Sequence, residues 1–161
     1  MDKIEIIDYR PEHQAYFESL NRAWIEKYFW MEERDKYALQ QPEEIIISKG
    51  GAVLMATCNG EVAGTAALKK VNDDVYEFTK MAVDERFRRR GIAEALSYPS
   101  FDKARELGAK KVILYSNRIL TPAITMYQKL GFAEVPIEKD IVYKRSDIKM
   151  EIDLAKTLQT N

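Results

Sequence analysis

Apolar positions along the chain change their spacing several times, and each change marks a boundary between predicted elements. Ile4, Ile6 and Ile7, ahead of Arg10-Pro11, predict a short first strand, after which Tyr16, Leu20, Trp24, Tyr28 and Met31 recur at helical spacing. A second helix is expected to start after Pro42, because proline is tolerated in a first turn, Glu43 and Glu44 suit the positive helix end, and Gly50-Gly51 stops it. Ala52 to Thr57 and Val62 to Leu68 flank Asn59-Gly60, a residue pair suited to a tight hairpin because both positions accept positive φ. Asn72-Asp73-Asp74 predicts another turn, leading into a third long strand from Val75 to Val83.

From Gly91 the period becomes helical until about Gly108, with Pro99 inside, where it removes one hydrogen bond and predicts a kink. Lys111 to Tyr115 reads as a strand, Pro122 to Leu130 as a helix stopped by Gly131, and Ile148, Met150 and Ile152 alternate with charged residues as in a half-buried strand. The resulting order is β-α-α-β-β-β-α-β-α-β. It predicts an α/β fold of the α+β kind, with a mixed, mostly antiparallel central sheet of about six to seven strands flanked by about four helices. Residues 1–154 are expected to form a single domain and 155–161 a frayed tail.

Composition narrows the chemistry. The 161 residues are 46% hydrophobic and 32% charged, and 25 Lys and Arg against 26 Asp and Glu leave a net charge of −1. Such a balance supplies no overall field for nucleic acid or an anionic membrane, so neither is expected as a partner. His13 is the only histidine and Cys58 the only cysteine. Multi-His zinc sites and intramolecular disulfides are thereby excluded, no metal is expected, and a reducing, cytoplasmic setting fits. Charges at Asp2, Lys3 and Glu5 oppose a secretory signal, and the apolar run Ala52 to Ala56 is too short to span a bilayer.

The most informative stretch runs from Met81 to Glu94, where a strand ends, a basic turn follows and a helix begins. Free N–H groups at a helix start attract anions, and Gly91 and Ala93 are small enough to let backbone approach a phosphate. With one glycine it is not a dinucleotide fingerprint, and no P-loop pattern occurs. Taken alone, Arg86, Arg88, Arg89 and Arg90 read equally well as a solvated charge run.

Arg88-x-x-Gly91-x-Ala93 resembles the acyl-CoA pyrophosphate loop of the GNAT N-acetyltransferase superfamily. Lys80 to Asp84 resembles its fourth strand, and Asn117 with Tyr127-Gln128-Lys129-Leu130-Gly131-Phe132 resembles its second CoA-binding segment. The resemblance covers roughly residues 4 to 154 and implies acetyl transfer from acetyl-CoA, the cosubstrate, to an amine by direct attack in a ternary complex. It implies that Met81, Ala82 and Val83 hold the pantetheine arm through backbone groups, and that the N–H groups from Arg89 through Arg90, Gly91, Ile92 and Ala93 to Glu94 take the pyrophosphate. The side chains of Arg88, Arg89 and Arg90 would add contacts to CoA phosphates, and Asn117 and Tyr127 would contact CoA.

The reaction requires a neutral amine, a stabilised oxyanion and a proton for the leaving thiolate. Glu77 resembles the general-base glutamate of the histone-acetylating branch, its other reading being an ordinary exposed strand carboxylate. Tyr127 resembles the tyrosine that protonates the CoA sulfur, its other reading being a core phenol. Strand alternation would set Glu77, Thr79, Met81 and Val83 on one face, and Glu33 or water is the alternative base.

The sequence departs from the family where many protein-N-terminus acetylases carry a fifth-strand glutamate, since Tyr115 stands there, and Asn117 precedes Tyr127 by ten residues rather than seven. A small-molecule amine, amino acid or polyamine-like, is therefore the expected acceptor. A protein amine, or a CoA-binding sensor without turnover, are the alternatives, and a homodimer stays open. Trp24, Tyr28, Phe29 and Trp30 beside Glu26, Glu32, Glu33 and Asp35 suit a cationic amine, while Tyr143, Arg145 and Asp147 could bind an acceptor carboxylate or line a solvent face.

Overall fold

In the computed structural model, which describes residues 1–140 and 144–155, seven strands form one sheet. They are β1 (Ile4–Asp8), β2 (Ala52–Cys58), β3 (Glu61–Lys70), β4 (Val75–Val83), β5 (Lys111–Ser116), β6 (Ala133–Val135) and β7 (Ile148–Asp153), in the spatial order β1-β2-β3-β4-β5-β7-β6. Every neighbouring pair is antiparallel except β4 and β5. Helices α1 (Gln14–Tyr28) and α2 (Glu33–Gln40) pack on one face, while α3 (Ile92–Glu106) and α4 (Thr121–Leu130) contribute to the core on the other. No helix among the described residues is long and apolar enough to cross a membrane.

Turn chemistry behaves as the sequence predicts. Asn59 and Gly60 take φ of 53° and 85° between β2 and β3, and the Asn72 side chain accepts from the N–H groups of Asp74 and Val75. Helix α3 runs uninterrupted through Pro99. The larger core sets Phe78 of β4 against Phe101 of α3 with ring centroids 6.0 Å apart, and Phe101 against Phe132 at 5.7 Å. Gly64 in β3 admits the start of α3, since a Cβ there would stand 3.0 Å from Ile92.

Three expectations are corrected. The buried row of α1 is Phe17, Asn21 and Ile25, with Tyr16 and Tyr28 left 51% and 46% exposed. Two rows with i, i+4 spacing lie one residue apart, and Asn21 disguised the inner one as polar. Its amide is satisfied inside, donating to Phe17 O at 2.9 Å and accepting from Trp24 Nε1 at 3.4 Å. The second helix precedes Pro42 rather than following it, because Asp35 accepts from Glu32 N at 3.0 Å and starts α2 at Glu33. Only a π-type turn, Glu43–Ile47, follows the proline. The short edge strand β6 is an addition to the predicted order.

The third correction bears on the site. Between the pairs Ala67 with Thr79 and Thr65 with Ala82, β4 carries one extra residue, and Lys80 takes a left-handed φ of 54°. Residues opposite each other in an antiparallel ladder share a face. Glu77 and Thr79 oppose Lys69 and Ala67 on the α1 and α2 side, whereas Val83 opposes Gly64 on the α3 side, where Met81 also packs. The bulge thus reverses the alternation, and Glu77 does not share a face with Met81 and Val83. Tyr143 and residues 156–161 lie outside the described residues.

Candidate active site

Pairing between the parallel strands β4 and β5 covers only Val75 with Lys111, Tyr76 with Val112 and Glu77 with Ile113, although both strands continue. Beyond Glu77 they part, and a cleft of about 620 Å³ opens between them. The β4 backbone on this edge finds no partner in β5 after Glu77, leaving groups able to bond an inserted extended chain. Met81, Ala82 and Val83 line this edge, with Ile119, Leu120, Pro122 and Ala123 forming the far wall.

The basic turn lies at one end. Arg89 and Gly91 both take left-handed conformations, φ 63° and 75°, and Gly91 opens α3 without a side-chain cap. The first intrahelical bond runs from Ala95 N to Gly91 O, and among the described residues the N–H groups of Arg89 to Glu94 have no acceptor. Successive free donors in such a turn form an anion-binding concavity, so the residues present suit a pyrophosphate. Arg88 and Arg89 line the cleft. Arg90 does not, since its guanidinium stacks over Phe87 at 5.3 Å and bonds Asp2 at 3.4 Å. Ile92 is buried in the core, which leaves only its backbone for a ligand, and Ala93 is half-buried beside the exposed Glu94.

The two candidate catalytic groups reach the cleft from opposite faces of the sheet. Glu77 stands where the strands part, on the α1 and α2 side, 8% exposed, and burial raises its carboxyl above the ordinary 4.5. Tyr127 projects from α4 with its ring edge-on to Phe132 at 5.9 Å, and burial pushes its phenol up to about 12. Tyr115 also lines the cleft, its hydroxyl 3.0 Å from Glu138; burial first, and then this carboxylate, raise its phenol above the ordinary 10.0. Asn117 lines the cleft with both ends of its amide already engaged, donating to Arg145 O at 2.6 Å and accepting from Ile119 N at 3.0 Å.

Trp24, Tyr28 and Phe29 close the other side, Trp24 meeting Phe29 edge-on at 6.3 Å. Behind them lies a buried ionic cluster. Asp35 accepts from Lys80 Nζ at 3.0 Å and from Arg145 at 2.7 and 2.8 Å, while Glu32 stands 3.3 Å from the same guanidinium. These cations hold the Asp35 carboxyl at about 2 despite full burial. The carboxylates that seemed suited to a cationic acceptor are therefore engaged elsewhere: Glu26 with Arg22, Glu33 with Lys36, Glu32 and Asp35 with Arg145. Glu33 is also 81% exposed at its side chain and stands away from the cleft lining, which removes it as a base. Asp147 accepts from Arg118 N rather than facing an acceptor.

The profile of the Acetyltransferase (GNAT) family matches residues 12–132. The chain belongs to this family. A GNAT-family acetyltransferase from Staphylococcus aureus superposes with a TM-score of 0.84 at 18% identity, covering 94% of this chain and 99% of that one. The PaiA N-acetyltransferase of Thermoplasma acidophilum, solved in complex with coenzyme A, gives 0.72 at 17% identity over 94% and 99%. A mycothiol acetyltransferase of Corynebacterium glutamicum is 28% identical over 141 residues, 88% of this chain, and the chain spans 41% of that enzyme's length. The family assignment makes residues 12–132 a GNAT-family domain. What the sequence left unread in this GNAT site is the pairing of Lys80, Asp35 and Arg145 with one another: Asp35 and Arg145 stood out only as separate acceptor contacts, because the three lie far apart in the chain until the fold joins them.

Proposed function

We propose that this chain transfers an acetyl group from acetyl-CoA to the primary amine of a small molecule by direct attack in a ternary complex. The observation that carries the reading is the parting of β4 and β5 at Glu77, with free N–H donors at one end and two proton-handling groups on opposite sides. Backbone of Met81 to Val83 would hold the pantetheine arm, the N–H groups of Arg89 to Glu94 the pyrophosphate, and Arg88 and Arg89 further phosphate oxygens.

Alkyl ammonium groups titrate near 10.4 and alkyl thiols near 8.5, so both ends of the proton path need help at neutral pH. Glu77, whose raised basicity suits it to the task, takes a proton from the acceptor ammonium directly or through one water. The nitrogen lone pair then forms the bond to the thioester carbonyl carbon, and the carbon–sulfur bond breaks with its electron pair on sulfur. Tyr127, protonated throughout the working range, gives its proton to that thiolate and recovers one as the new amide nitrogen sheds its own through solvent. Thiol release from acetyl-CoA across a panel of amines tests the reading: acceptor-dependent release is expected, and binding of acetyl-CoA with no release for any amine would overturn it.

A further inference from the structure

Charge compensation around the cleft separates the acceptor end from the donor end. Among the described residues lining the cleft, Glu77 is the only carboxylate, and the cations are Lys80, Arg88, Arg89 and Arg145. Arg88 and Arg89 stand at the pyrophosphate turn. Lys80 and Arg145 are both bonded to Asp35, and Arg145 to Glu32 as well, so two cations face two anions in one buried cluster.

An acceptor entering beside Trp24, Tyr28 and Phe29 thus meets, among the described lining residues, one desolvated carboxylate, three aromatic rings, and no cation apart from the neutralised cluster and the pyrophosphate turn. Lys69, opposite Glu77 on β3, and Lys149, which pairs with Glu138, lie outside that lining. A cation is favoured there by Glu77 and by the ring faces. A carboxylate carried next to the amine would lose its water without gaining a counter-charge, unless it broke the bidentate contact of Arg145 with Asp35.

We infer that the acceptor is a primary amine without a neighbouring carboxylate, an alkyl- or arylalkylamine or a polyamine, and that Asp35 and Glu32 set this preference by neutralising Lys80 and Arg145. The inference rests on the acetyltransferase reading above. It excludes free amino acids from the acceptors admitted there.

Thiol release is measured for two matched pairs whose members differ only by the carboxylate, 2-phenylethylamine against phenylalanine and tyramine against tyrosine, with acetyl-CoA binding followed separately by calorimetry. At least a tenfold higher kcat/KM is expected for the carboxylate-free member of each pair. Equal or better use of the amino acid in either pair overturns the inference and leaves the acetyltransferase reading standing. Acetyl-CoA binding with no release from any of the four sinks both. Glu32→Gln, a change at a position less buried than Asp35, is expected to move the ratio within each pair towards the amino acid, and an unchanged ratio in the folded variant overturns the role given to the cluster.

Discussion

Lys80 Nζ lies 3.0 Å from Asp35 Oδ1 with only 3% and 0% of the two side chains exposed, and this contact ties the β4 bulge to α2. Lys80 holds a left-handed φ of 54°, a conformation that disfavours residues with a Cβ. The ion pair secures that strained residue, and the bulge in turn sends Met81 and Val83 to the face opposite Glu77. One contact therefore links the wall behind the acceptor to the edge that would hold the donor.

Removing the acid from this cluster leaves Lys80 and Arg145 buried without their shared partner. Breaking a buried pair from one side costs about 3–5 kcal/mol. Asp35→Asn is expected to lower the melting midpoint by roughly 6–20 °C, taking about 2–4 °C per kcal/mol for a domain of this size. Calorimetry checks it, and a midpoint within about 2 °C of the parent would show the cluster to be worth no more than a surface pair.

The same residue shapes the acid limb of stability. Its folded pKa of about 2 lies below the ordinary 3.8, so its contribution is fully present above about pH 4 and is lost as pH falls through 2. Over that interval the parent should lose about 2 kcal/mol that Asp35→Asn does not. Denaturant melts of the two proteins from pH 5 to pH 2 give the difference directly, and parallel curves would contradict it.

What was legible in the sequence was local. Asn59-Gly60, Gly91, Gly108 and Gly131 each take positive φ where a turn or helix end was expected, because a single residue's backbone preference settles each case. The basic turn was legible for the same reason, its donors being consecutive. Asn21 hid the inner row of α1, and the charges of Glu33-Arg34-Asp35 hid a helix whose buried face includes Asp35, since a buried polar group is recognisable only with its partner. The bulge at Lys80 was equally hidden: its register depends on β3, and nothing in Thr79-Lys80-Met81 names it.

Gly91 offers a test of the anion site. A Cβ there meets no protein atom within 4 Å, so a substitution is opposed only by its φ of 75°, about 1–2 kcal/mol. Gly91→Asn, which tolerates that conformation, should keep the fold and still weaken CoA binding by the bulk of its side chain, and Gly91→Val should weaken it further. Calorimetric affinities unchanged in folded variants would mean that the phosphates do not approach this backbone.

Tyr127→Phe keeps the ring against Phe132 and removes the phenol proton. Turnover is expected to fall by roughly 10² to 10⁴ while CoA affinity changes little, the scale of a lost general acid. Parent-like turnover would leave Tyr127 as a packing residue.

Glu77→Gln separates a catalytic carboxylate from a structural one, because its effects on stability and turnover should have opposite signs. Burial raises the folded pKa above 4.5, so the folded protein holds this proton more tightly than the unfolded chain. For such an acid, stability is unpenalised below about pH 4.5 and declines as pH rises towards the folded value. Glutamine cannot ionise, so Glu77→Gln should melt higher than the parent at pH 7 and converge with it in acid. Turnover should drop most at mildly acidic pH, where the acceptor is most fully protonated and a base matters most, and recover partly as pH rises and the free amine becomes available without help. A variant that melts higher yet matches the parent across the whole pH profile with a confirmed acceptor would leave Glu77 a buried strand residue and move proton removal to water, since Glu33 stands outside the cleft lining and is paired with Lys36.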